Sequence, residues 1–207
     1  MHRSAILKRN SKAQLQLGKA YQSGKQGASV DLSKAIDAFT RAANAGEGEA
    51  AQLLGKIYEF GAKGVPIDFT KSARWFQRGT DLGDPYSIAE LGYFYDRGRG
   101  VPKDDRIAVE LDRKAADLGN ATGINNLGAD YDKGGGGLAK DERKAVELYQ
   151  KAADLGDSWA MSHLGWMYAN GRGGLAKDER KAVELYQQAA DLGNTDAADQ
   201  LKRFGLK

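Results

Sequence analysis

The chain has 207 residues, 41% hydrophobic and 29% charged, with a net charge of +3, which is too small to argue for nucleic acid by itself. Cysteine is absent, so disulfides and thiolate metal sites are excluded. No apolar run approaches the roughly 20 residues a membrane span needs, and residues 1–25 lack a secretory hydrophobic stretch. The chain as given is therefore expected in the cytoplasm, or in the periplasm or medium if a signal was removed.

The first acid is Asp31, and ahead of it stand Arg3, Lys8, Arg9, Lys12, Lys19 and Lys25. This basic end reads either as a solvated terminus or as a patch for an acidic partner. Residues 1–10 form a basic lead-in. From residue 11 onward three ladders run through the chain. Leu-Gly pairs fall at 17–18, 54–55, 91–92, 127–128 and 164–165. Gly46, Gly83, Gly119, Gly156 and Gly193 form the second ladder, and Asp31, Asp68, Asp104, Asp141 and Asp178 the third. The run GLAKDERKAVELYQ at 137–150 recurs letter for letter at 174–187. A constant period of this length marks stacked supersecondary units.

Each unit reads as two helices. The first, helix A, is expected over 48–60, where Ala50, Leu53, Leu54, Ile57 and Tyr58 make an amphipathic stripe. Gly61 and its equivalents Gly24, Gly98, Gly134 and Gly171 are expected to end it in a left-handed cap. Asp31 and its equivalents then sit at the N-cap of helix B, expected over 142–155 in the fourth unit. Asp84, Asn120, Asp157 and Asn194 are the caps of the later A helices. The glycine inside helix A costs helix propensity, so it is expected where a neighbouring helix lies against the backbone. The layout is five units (11–46, 47–83, 84–119, 120–156 and 157–193), a polar capping helix within 194–207, and one domain over 11–207.

The recurring pattern is Ala-x3-Leu-Gly-x2-Tyr-x2-Gly, a short loop, Asp-x2-Lys-Ala and Ala-Ala-x2-Gly. One unit carries it as Ala50, Leu54, Gly55, Tyr58, Gly61, Asp68, Lys71 and Gly83. Over about residues 11–204 this resembles the SEL-one-like repeat family, relatives of the tetratricopeptide repeat. Ser72 departs from the pattern at an alanine position, and Asp112 stands where Phe39, Phe76, Tyr149 and Tyr186 stand in the other units. The resemblance implies an all-α, right-handed α-solenoid with helix A on the concave side. It also implies scaffold or adaptor roles, with immunity proteins that block bacterial toxins among them.

Catalytic constellations are scarce. His163 reads as a packed or surface residue, and no set of residues has metal-ligand spacing. The glycines at 134–137 lack a Gly-Lys-Ser/Thr ending and follow no strand, which argues against nucleotide binding. No enzyme activity, cofactor or metal is expected. Binding is the better reading. Counted from the Leu-Gly glycine, positions −6, −3, +1 and +4 lie on one stripe of helix A. They supply Lys19, Gln52, Lys56, Glu59, Tyr86, Tyr93, Asn125, Trp159 and Trp166 as candidates for holding a protein or peptide in the concave groove. Trp159 and Trp166 either anchor that partner or cover the helix of the next repeat. The alternatives are an inhibitor or immunity protein that occludes a bacterial toxin, and nucleic-acid binding through the basic N-terminal end, which would be strongly salt-dependent.

Overall fold

The structure is a computed structural model that describes residues 2–25, 27 and 29–205, with side chains from residue 10 onward. The basic residues Arg3, Lys8 and Arg9 thus have side chains outside the described set. Among the described residues there are eleven helices: α1 (His2–Ser23), α2 (Leu32–Asn44), α3 (Gly48–Phe60), α4 (Phe69–Asp81), α5 (Pro85–Arg97), α6 (Asp105–Asp117), α7 (Ala121–Lys133), α8 (Glu142–Asp154), α9 (Ser158–Asn170), α10 (Glu179–Asp191) and α11 (Thr195–Arg203). They divide into two compact units, Met1–Asp104 and Asp105–Lys207.

In the first unit each helix packs on the next, from α1 to α5. Phe39, Ala42, Ala43, Ala50, Ala51 and Leu54 are fully buried together. Phe76 meets Phe94 edge-on at 5.3 Å between ring centres. In the second unit α6 to α11 pack in the same serial way. Its core joins Ile124, Ala152, Ala153 and Ala160, then Tyr149, Leu164 and Met167, then Tyr186, Ala197 and Leu201. α11 offers only this narrow apolar edge, while Asp196, Asp199, Lys202 and Arg203 are exposed, as a terminal cap requires.

The helix-A glycine answers to helix B. A Cβ on Gly18 would sit 2.5 Å from the Phe39 ring, and one on Gly55 would sit 2.5 Å from Phe76. On Gly128 it would lie 2.9 Å from Tyr149 and on Gly165 3.1 Å from Tyr186. The Leu-Gly ladder and the aromatic ladder are thus two halves of one contact. Asp112, which breaks the aromatic ladder, is buried and accepts a hydrogen bond from Asn126 Nδ2 at 3.0 Å. Ser72 uses its extra hydroxyl to donate to the Gly55 carbonyl at 2.8 Å.

The caps form as the sequence indicates. Asp31, Asp68, Asp141 and Asp178 accept from the backbone N–H three residues on, at 2.9–3.0 Å. Asp84, Asn120, Asp157 and Asn194 do the same at 2.8–2.9 Å. The helix-A stops differ from expectation in part. Gly98 and Gly171 are left-handed, but Gly61 and Gly134 combine a positive φ with an extended ψ. The reason lies just beyond them: Ala62 pairs with Val65, and Gly135 with Leu138, in small backbone bridges. An extended exit leads the chain into that bridge.

Candidate functional site

The candidate residues fall into two groups, one in each unit. In the first unit, Lys56 Nζ lies 4.1 Å from the centre of the Tyr86 ring. Burial, with the Glu90 charge beside it, pushes the Tyr86 hydroxyl well above its usual range. Arg99, from the loop after α5, stands 5.2 Å over Tyr93 and 3.8 Å from Glu59. Lys19 Nζ bonds Glu49 at 2.5 Å, and Gln52 is half-buried. The aromatics and cations of this face are therefore engaged with one another.

Glu59 is only 7% exposed. Burial, with the Glu90 charge beside it, pushes its carboxyl up to about 7 against the pull of Arg99 and Lys56. Glu90 is raised as well, by burial, with the Tyr86 hydroxyl, Lys56 and Arg99 opposing. A carboxylate loses hydration there faster than its neighbours restore it. Glu90 and Arg99 lie off the groove stripe read from the sequence, whereas Glu49 lies on it at position −6. A signal for two of these contacts was present, since Lys19–Glu49 and Lys56–Tyr86 share a spacing of 30 residues. Position +1 of one helix A meets position −6 of the next.

The second unit is arranged differently. α9 carries no acidic, lysine or arginine side chain along its length. Trp159 is 48% and Trp166 39% exposed on it. At seven residues apart they are two turns, about 10 Å, from each other along the axis. Thirty residues before Trp159 stands Ala129 of α7, and alanine is too short to cover an indole. Arg172 stands 5.5 Å over the Trp166 ring. Its guanidinium is held by both oxygens of Glu142, and this bond, with Lys140, keeps the Glu142 carboxyl well below its usual range.

Position −3 does not belong to the exposed stripe. Leu15, Ala89, Asn125 and Ser162 are all buried. Asn125 Oδ1 accepts from His163 Nδ1 at 2.9 Å, which fixes the protonated ring nitrogen. The His163 ring lies 4.9 Å from Tyr149, and burial lowers its pKa, with Lys133 adding and Asp157 and Asp196 opposing. Among the described residues no group of three or more His, Cys, Asp or Glu is placed to hold a metal, and no helix is long and apolar enough to cross a membrane.

These features define an all-α, solenoid-like protein of tandem helix-pair repeats closed by a C-terminal helix. The Sel1 repeat family matches at residues 11–47, 48–84, 85–120, 121–157 and 160–194, so the chain belongs to the Sel1 repeat family. A Sel1 repeat protein from Oxalobacter formigenes is 34% identical, covers 93% of this chain and 77% of its own, and superposes with a TM-score of 0.78. A protective antigen with an SLR fold, present in uropathogenic Escherichia coli strains, is 33% identical. It covers 90% of this chain, which spans 39% of that antigen, with a TM-score of 0.70. The immunity protein Pa5087 of Pseudomonas aeruginosa shares the fold at 22% identity, covering 95% of this chain and 68% of its own, with a TM-score of 0.60. No curated protein matches the chain. Sel1 repeat proteins mediate protein–protein interactions and are generally non-catalytic.

Proposed function

We propose that this chain is a non-catalytic interaction module that holds a protein or peptide partner on the helix-A face of α9. The observation that carries this reading is the pair Trp159 and Trp166, exposed two turns apart on a helix free of acids, lysine and arginine. Apolar side chains of a partner would close over both indoles. Each fully buried anchor contributes about 1.5–3 kcal/mol, and tryptophan is enriched among residues that dominate interfaces. Glu59 and Asn125, candidates from the sequence, are buried within the fold.

The test is a pull-down from the source-cell lysate with the native chain and a Trp159→Ala, Trp166→Ala variant of matched helicity. The expected result is a partner retained by the native chain and lost by the variant. Recovery of the same proteins by both would assign the tryptophans to packing and remove α9 as the site.

A further inference from the structure

In every later unit, the Ala-x3-Leu face of helix A is shut by the helix B that precedes it. Ala42 and Ala43 of α2 close on Ala50, Ala51 and Leu54 of α3. Ala152 and Ala153 of α8 close on Ala160 of α9. Ala189 of α10 closes on Ala197 and Leu201 of α11. The contact is one of small side chains, so two helices approach closely and a leucine is sealed beneath them.

On α1 the same face is open. Ala13 is exposed, although its equivalents Ala50, Ser87, Ala160 and Ala197 are fully buried. Leu17 is 41% exposed, whereas Leu54, Leu91, Leu127, Leu164 and Leu201 are at most 8% exposed. α1 has its own following helix, α2, so the exposure comes from the other flank. There Ala13, Gln16, Leu17 and Tyr21 line a groove of about 670 Å³ with Gly27 and Ser29.

We propose that this flank of α1 docks an alanine-rich, acidic amphipathic helix of a partner protein, seated as a helix B sits on every later helix A. The shape follows from continuity with the interface repeated along the chain. A helix with paired alanines matches the row Ala13–Leu17 as Ala42 and Ala43 match Ala50 and Leu54. The charge follows from the sequence, in which six bases and no acid precede Asp31. Lys19 is taken by Glu49, while Lys12 and Lys25 are exposed. Two copies of α1 face to face would bring like charges together, which disfavours a symmetric dimer through this flank.

The probe is a labelled peptide with the sequence of residues 142–156, stapled on its outer face to hold the helix. One form carries Arg143→Glu, Lys144→Glu and Lys151→Glu, and the other carries Glu142→Lys, Glu147→Lys and Asp154→Lys. Fluorescence anisotropy with the full chain should show the acidic form binding at least about tenfold more tightly than the basic form. Leu17→Gln, and separately Ala13→Gln, should weaken it by about tenfold with unchanged helicity. The Trp159→Ala, Trp166→Ala variant should bind it like the native chain, which separates this site from α9. Equal binding of both peptides, or indifference to Leu17→Gln and Ala13→Gln, would overturn the proposal. So would a dimer of the native chain that Leu17→Gln dissociates, since the occupant would then be a second copy.

Discussion

The face shared by α3 and α5 and the face of α9 come from equivalent positions of the repeat, yet they do different work. On the first, Tyr86 carries Lys56 on its ring, and Tyr93 carries Arg99. On the second, the residue at the same spacing before Trp159 is Ala129, and about half of Trp159 remains in solvent. At the first of these positions the side chain 30 residues earlier differs: Lys56 before Tyr86, Ala129 before Trp159. Lys56 reaches the Tyr86 ring, and alanine carries no group that could reach an indole.

The largest expected effect breaks or sustains this contrast directly. Tyr86→Ala removes the ring under Lys56 and the packing around the half-buried Tyr86 and Glu90 side chains. The loss should be on the order of 2–3 kcal/mol of stability. Trp159→Ala should cost about 1 kcal/mol or less, because much of the indole is already hydrated. Urea unfolding followed by circular dichroism measures both. Equal losses would mean that Trp159 is a packing residue too, and the α9 reading would fail with it.

The architecture was legible because three ladders coincide, and each reports one physical demand. Helix α3 spans Gly48–Phe60 as the stripe from Ala50 to Tyr58 required. The glycine in Leu-Gly was readable as a close approach, and Phe39, Phe76, Tyr149 and Tyr186 supply the approaching ring. The candidate site was legible only in part. A helical stripe says which way a side chain leaves its own helix, and not what stands across from it. Asn125 was placed on the exposed stripe, but the packed surface reaches round to position −3 and buries it against His163. Lys56 and Tyr86 were both found, but as separate candidates, because their pairing exists only once α3 and α5 are neighbours.

A second prediction sharpens the contrast through the buried acid. Glu59 has its pKa raised from 4.5 to about 7, so the folded chain holds this proton more tightly than the unfolded chain. Its contribution to stability is therefore full below 4.5 and is lost as pH rises through about 7. Glu59→Gln mimics the protonated form at every pH. At pH 8 it should stabilise the chain by roughly 1–2 kcal/mol, and at pH 4 it should change little. Thermal unfolding at the two pH values reads the difference. A destabilised Glu59→Gln at pH 8 would show that the Arg99 pairing outweighs the burial.

The last effect has the opposite sign and belongs to the second unit. Burial lowers the His163 pKa below 6.5, so the folded chain keeps the ring neutral and the unfolded chain takes up the proton first. Stability from this group is complete above 6.5 and falls as pH drops below it. The Lys133 charge deepens the shift, whereas Asp157 and Asp196 limit it. Native-state hydrogen exchange separates the two regions, because α3 and α5 amides report one and α7 and α9 amides the other. Between pH 7 and 5 the first set should gain protection and the second should lose it. His163→Gln should flatten only the second trend, as glutamine retains a donor for Asn125 Oδ1 without a titrating proton. If both sets moved together in the native chain, the acid and the histidine would be reporting one shared unfolding event, and the local pH response assigned to each face would fall.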